Sequence, residues 1–156
     1  MRQIEDTEIS NIEGLKMRVP IRDDDGDIVW KDKCALCGFP EDGSLPTTEP
    51  LTIAKAIRLM IFSIPAEIRK PADSENAYRV MQSIRQSDNG LLTLEDSDFE
   101  FLQRLISRPL PKIENQETQT LGSALWGINC YAVEDQIFTS EVEYMAIHDP
   151  NKKAKV

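Results

Sequence analysis

Residues 52–64, TIAKAIRLMIFSI, constrain this chain more than any other stretch. Ile53, Ile57, Met60, Ile61 and Ile64 recur at i, i+4, i+7 and i+8 intervals, the stripe of a helix that buries one face. Leu59 and Phe62 add apolar side chains away from that stripe. A helix greasy nearly all round belongs at the centre of a core or against a partner. Thr52 is placed to cap its start, and Pro65 forbids its continuation.

Three more helices are expected downstream. One over 74–87 sets Ala77, Val80, Met81 and Ile84 on one stripe behind Asp73 or Ser74 as cap. "SDNG" then turns the chain, with Gly90 suited to a left-handed position. The next helix, 94–107, carries Glu95, Asp96 and Asp98 at its entrance, where the macrodipole favours negative charge, and faces Phe99, Leu102, Leu105 and Ile106 inward. Arg104 and Arg108 lie at its far end, and Pro109 and Pro111 stop it. The last, 118–137, aligns Leu121, Leu125, Ile128, Ala132 and Val133, and its small Gly122, Ala124 and Gly127 allow close approach of another element.

Before residue 50 the pattern changes. In "LKMRVPIRDDDGDIVWKDK", Leu15, Met17, Val19 and Ile21 alternate with Lys16, Arg18 and Arg22, the period of a strand with one wet face. Asp25-Gly26 supplies a hairpin turn, and Pro20, which has no N–H to donate, places its strand at an edge. The turn-rich "CGFPEDGSLPTTEP" follows, and the chain shows no internal repeat or low-complexity run. The fold class expected is mostly α: an N-terminal β-hairpin and turn-rich appendage, then a bundle of about four helices. The expected divisions are 1–50 for the acidic tail, hairpin and CxxC turn, 51–140 for the helical core and 141–156 for a C-terminal tail.

Charge narrows the partners. The net charge is −9, and residues 1–50 hold 12 acidic against 6 basic residues. An acidic surface repels phosphates, so direct nucleic-acid binding is not expected and a protein partner is. The basic "NKKAKV" reads as a solvated tail. No stretch approaches the ~20 apolar residues of a bilayer span, and the acidic "MRQIEDTEIS" lacks the features of a secretory leader, so a reducing cytoplasm is the expected location. Oligomerisation is left open.

One candidate metal site stands out. Cys34 and Cys37 in "CALCG" have the Cys-x-x-Cys-Gly form of a zinc knuckle, in which a tight turn aims two thiolates at one ion. Closure needs two more ligands, from Cys130, His148 or carboxylates, or from a second Cys34 and Cys37 in a symmetric dimer. Cys130, inside a helical stripe, reads more simply as a small buried hydrophobe, and the pair itself more simply as unmetallated thiols. The acidic run Asp23, Asp24, Asp25, Gly26, Asp27 is not a calcium loop, because Trp30, Lys31 and Lys33 stand where oxygen ligands would be required. No phosphate-cradling loop or nucleophile–base constellation is evident, and no catalytic residue is assigned.

The order "DDDGDIV" in a hairpin, "LTIAKAIRLMIF", "AYRVMQSI" and "LTLEDSDFEFLQRLI" resembles a broad group of small phage-encoded proteins, over roughly residues 15–137. "CALCG" departs from that pattern. The resemblance implies a viral or prophage context and carries no functional residues with it. The expected function is a non-enzymatic protein–protein interaction factor, an assembly factor or a binder of a host protein. The alternative is a small zinc-containing regulator of transcription or nucleic-acid machinery.

Overall fold

A computed structural model describes residues 1–142 apart from Asp24, Gly26, Lys33, Cys34, Gly38, Pro40, Asp42, Asp88 and Ser140. In chain order the elements are β1 (Arg2–Glu5), β2 (Arg18–Pro20), β3 (Thr48–Pro50), α1 (Ile53–Phe62), α2 (Asp73–Arg85), β4 (Leu91–Leu94), α3 (Asp96–Ile106), α4 (Leu121–Trp126), α5 (Cys130–Phe138) and β5 (Glu141–Val142). Helices supply most of the core. The β-structure among the described residues is two small antiparallel sheets, β4-β1-β5 and β2-β3, with a few isolated bridges.

The central helix forms as its spacing requires. Ile53, Ile57, Met60, Ile61 and Ile64 are all buried, with Ala56 beside them, and Phe62 is left exposed under the Arg58 guanidinium. Thr52 caps the amide of Lys55 at 3.4 Å, and the Asp6 carboxylate accepts from the Ala54 amide at 2.9 Å. Two of the first-turn N–H groups that a helix leaves without internal partners are thus satisfied.

The expected helix at 94–107 starts two residues later, at Asp96, because Leu91–Leu94 is a strand. Leu92 and Leu94 point into the core on alternate positions, and β1 pairs antiparallel with them, Ile4 opposite Leu92. Asn89 and Gly90 both take positive φ, +53° and +75°, turning the chain from α2 into this strand. The expected helix at 118–137 is two helices. Gly127 adopts φ +53°, ψ −126°, outside the helical region, and breaks the run. Ile128 therefore leaves the apolar stripe and is exposed, while Val133 and Ile137 continue it on α5. Gly122 does allow close approach: a Cβ there would lie 2.6 Å from Ile106 Cγ1 and 2.9 Å from both the Ile106 carbonyl oxygen and Cys130 Sγ.

Composition changes at residue 50, whereas packing divides the chain elsewhere. Ile4 and Ile9 are fully buried in the same core as the helices, together with Leu51. Between residues 10 and 50 no described residue is buried, although Met17 and Val19 touch the core from outside. Residues 18–50 form an arm that leaves the body at Met17 and returns at Leu51, whose amide donates to the Met17 carbonyl at 2.9 Å. β2 and β3 are its two sides, paired Arg18 to Pro50 and Pro20 to Thr48. Arg18 donates through Nε to Thr48 Oγ1 and through its second nitrogen to the Thr48 carbonyl, both at 2.8 Å.

A hairpin turn is present where it is expected, with Arg22 bridged to Ile28 and Asp25 in the turn between them; Gly26 lies outside the described residues. Asp23 closes it. Its carboxylate accepts the amides of Asp25 and Asp27 at 3.0 and 2.9 Å, the Asx-turn use of an acidic residue. A second hairpin lies upstream, with Ser10 bridged to Lys16 and Asn11 in the corresponding role, accepting from Glu13 and Leu15.

Candidate functional site

The arm ends in a tip loop, residues 31–45. Its neck is closed by Lys31 N–H to the Leu45 carbonyl at 3.0 Å, Glu41 N–H to the Asp32 carbonyl at 3.1 Å, and Asp32 N–H to Ser44 Oγ at 3.1 Å. Gly43, at φ +78°, turns the returning strand. With its backbone tied at the neck, the loop presents Leu36, Phe39 and Leu45 to solvent at 99%, 71% and 64% exposure.

Cys37 is exposed on this same loop. Cys34 and His148, named above as candidate metal ligands, lie outside the described residues. Cys130 is in the body, at the start of α5, with its sulfur packed over Gly122. Burial, and then the neighbouring Glu134 carboxylate, push its thiol pKa up, which favours the neutral thiol over the thiolate that a metal or an electrophile requires. Among the described residues, no three His, Cys, Asp or Glu side chains converge to hold a metal.

Two polar centres were not legible from spacing, because their members lie far apart in sequence. Asp73, 3% exposed, is gripped by Arg108 through both guanidinium terminal nitrogens, at 2.6 and 3.0 Å, and also accepts from the Lys70 amide at 2.8 Å. Asp98, 1% exposed, accepts from Arg79 Nε at 3.1 Å, and Arg79 also reaches Glu75 at 2.8 Å. Each buried carboxylate is answered by an arginine distant in sequence, tying α2 to the start of α3 and to the segment just past its end. A third connection holds the upstream hairpin to the body: Gln136 accepts from the Ser10 amide at 2.8 Å and donates to the Ser10 carbonyl at 2.6 Å. Asn129 accepts from the Ile12 amide at 3.2 Å.

A shallow cleft of about 600 Å³ opens beside α4, lined by Gln116, Glu117, Thr118, Gln119, Thr120 and Ser123. Its lining is amides, hydroxyls and a single carboxylate, and Thr120 is already engaged in capping α4 at Ser123. No helix among the described residues is long and apolar enough to cross a membrane. No protein family, curated protein or solved structure matches this chain.

Proposed function

We propose that this chain is a non-enzymatic protein-binding factor whose contact surface is the tip loop of the arm. The observation that carries the reading is the exposure of Leu36, Phe39 and Leu45 on one short loop held outside the core. Single exposed apolar residues need no explanation, but three on one loop suit burial in an apolar pocket of a partner. The arm is also acidic, with 8 Asp and Glu against 4 Lys and Arg between residues 18 and 50. Charge complementarity favours a pocket rimmed by Lys or Arg and disfavours direct contact with a phosphate backbone. The resemblance to phage-encoded proteins supports a viral or prophage setting, with an assembly component or a host protein as the partner and the host cytoplasm as the place. The test is quantitative capture of a defined partner from the native host by wild type and by Leu36→Ser/Phe39→Ser. The double variant should lose capture by about tenfold or more with its melting temperature unchanged. Equal capture would refute the reading.

A second reading rests on the exposure of Cys37 beside Cys34 in the CxxC sequence. On it the chain is a small zinc-containing regulator acting on a polymerase or nuclease, its tip loop ordered by the ion. Zinc should then copurify at one ion per chain, or one per two chains in a shared site, and Cys34→Ser should release it. Loss of metal from Cys130→Ser would place that thiol in the shell. A metal-free protein whose Cys34→Ser variant melts like the parent rules this reading out.

A further inference from the structure

The two hairpins at the root of the arm share more than their turns. In the first, the Met17 amide donates to the Ile9 carbonyl at 2.8 Å, the Ile9 amide to Leu51 at 2.8 Å, and the Leu51 amide back to Met17 at 2.9 Å. In the second, the Val29 amide donates to the Ile21 carbonyl at 2.9 Å, the Ile21 amide to Thr47 at 2.9 Å, and the Thr47 amide back to Val29 at 2.8 Å. An ordinary antiparallel pair exchanges both of its bonds. Here a third segment enters each pair and the three share their bonds in a closed triangle.

The correspondence runs on through the neighbours, with a shift of 12 residues in the hairpins and of 4 in the returning strand. Asn11 donates to the Leu15 carbonyl as Asp23 does to that of Asp27, and the side chains of Asn11 and Asp23 each accept the amides two and four residues on. Glu8 bridges Thr52 as Pro20 pairs with Thr48, and Trp30 bridges Pro46 as Arg18 pairs with Pro50. The sequence carries a faint echo of this: Asn11-x-Glu13-Gly14 against Asp23-x-Asp25-Gly26, and Pro46-Thr47-Thr48 against Pro50-Leu51-Thr52. The correspondence is that of a short internal repeat, carried chiefly by the bonding pattern because few side chains are shared.

We infer that residues 18–29 with 47–50 are a second copy of the unit that roots the arm, and that this copy is a spacer carrying the tip loop outward. Four residues of returning strand at ~3.3 Å each place the tip about 13 Å farther from the body per unit. The inference is independent of what the tip binds. The unit has a defined excision: removing 18–29 and 47–50 joins Met17 to Trp30 and Pro46 to Leu51, so the Leu51–Met17 bond takes the place of the Thr47–Val29 bond with every later pairing in register.

The experiment compares that variant with one lacking 18–28 and 47–50, in which a one-residue slip turns the following side chains to the wrong face. A third variant inserts one additional unit. The in-register deletion should melt cooperatively within about 4 °C of wild type, and small-angle scattering should read a shorter maximum dimension for it and a longer one, by about 13 Å per unit, for the insertion. The slipped control should lose tens of percent of its protection in the arm by hydrogen exchange. Equal protection in control and in-register deletion, or loss of the cooperative transition in both in-register variants, would overturn the repeat. An unchanged maximum dimension in folded variants would overturn the spacer.

Discussion

Arg108 holds both carboxylate oxygens of Asp73 across 35 positions of sequence, and both side chains are nearly inaccessible to solvent, at 10% and 5% exposure. This pair locks the start of α2 to the segment just past the end of α3, and the arginine also reaches the Ile68 carbonyl upstream of α2 at 3.5 Å. The hydrogen bonds from Arg108 hold the Asp73 carboxyl below the usual carboxylate range, against the opposing effect of burial.

The sign of the resulting pH dependence follows directly. A carboxyl whose folded pKa is depressed contributes stability fully above its unfolded pKa, near 3.9, and loses it as pH falls through the folded value. Asp73→Asn should therefore flatten the fall in stability below about pH 4. Arg108→Ala, which leaves a buried carboxylate without its cation, should cost about 3 kcal/mol or more at neutral pH. Urea melts of both variants from pH 2.5 to 7 check the pair, and an unchanged acid limb in Asp73→Asn would remove it as the cause.

Gln136 acts on the Ser10 backbone as a neighbouring strand would, accepting its amide and donating to its carbonyl. Gln136→Glu keeps the shape but sets a carboxylate against that carbonyl, and should destabilise by about 1–3 kcal/mol. Hydrogen exchange should quicken at Ser10 and Ile12 before it does at Val80 or Leu102, which lie at 0% exposure in the core. Uniform quickening would place the effect elsewhere.

Gly122→Ala tests the closest approach in the helical half. The added methyl meets a backbone oxygen, which cannot swing aside as a side chain can, as well as Ile106 Cγ1 and Cys130 Sγ. A loss of about 1–3 kcal/mol is expected. Cys130→Ala in the same background should recover only part of it, because the Ile106 contacts remain, and full recovery would assign the strain to the thiol alone.

Limited proteolysis should cut the tip loop between residues 33 and 45 and spare 47–52. The stretch EDGSLPTTEP is rich in turn residues, yet Thr47 in its second half closes one triangular junction through Ile21 and Val29, and Leu51 just after it closes the other through Ile9 and Met17. Backbone held by bonds on two sides cannot adopt the extended fit a protease needs without local opening. First cleavage at 47–50 would contradict the junctions.

Local chemistry was enough for part of this architecture. The periodicity of 52–64, its Thr52 cap and its Pro65 stop determine α1 almost residue for residue, because a helix satisfies its own backbone and needs only one apolar face. The turn closed by Asp23 is local in the same sense, since its carboxylate bonds span only two and four residues. Tertiary structure decided the rest. Leu91–Leu94 became a strand because β1, some 90 positions earlier, offered it a partner, and Gly127 broke a helix whose apolar stripe runs on past it. The buried carboxylates found arginines 35 and 19 positions away, and the arm's repeat lies in backbone bonds that impose little on side chains. Patterns of side chains record which face is buried, but not which distant segment supplies the missing bond or charge.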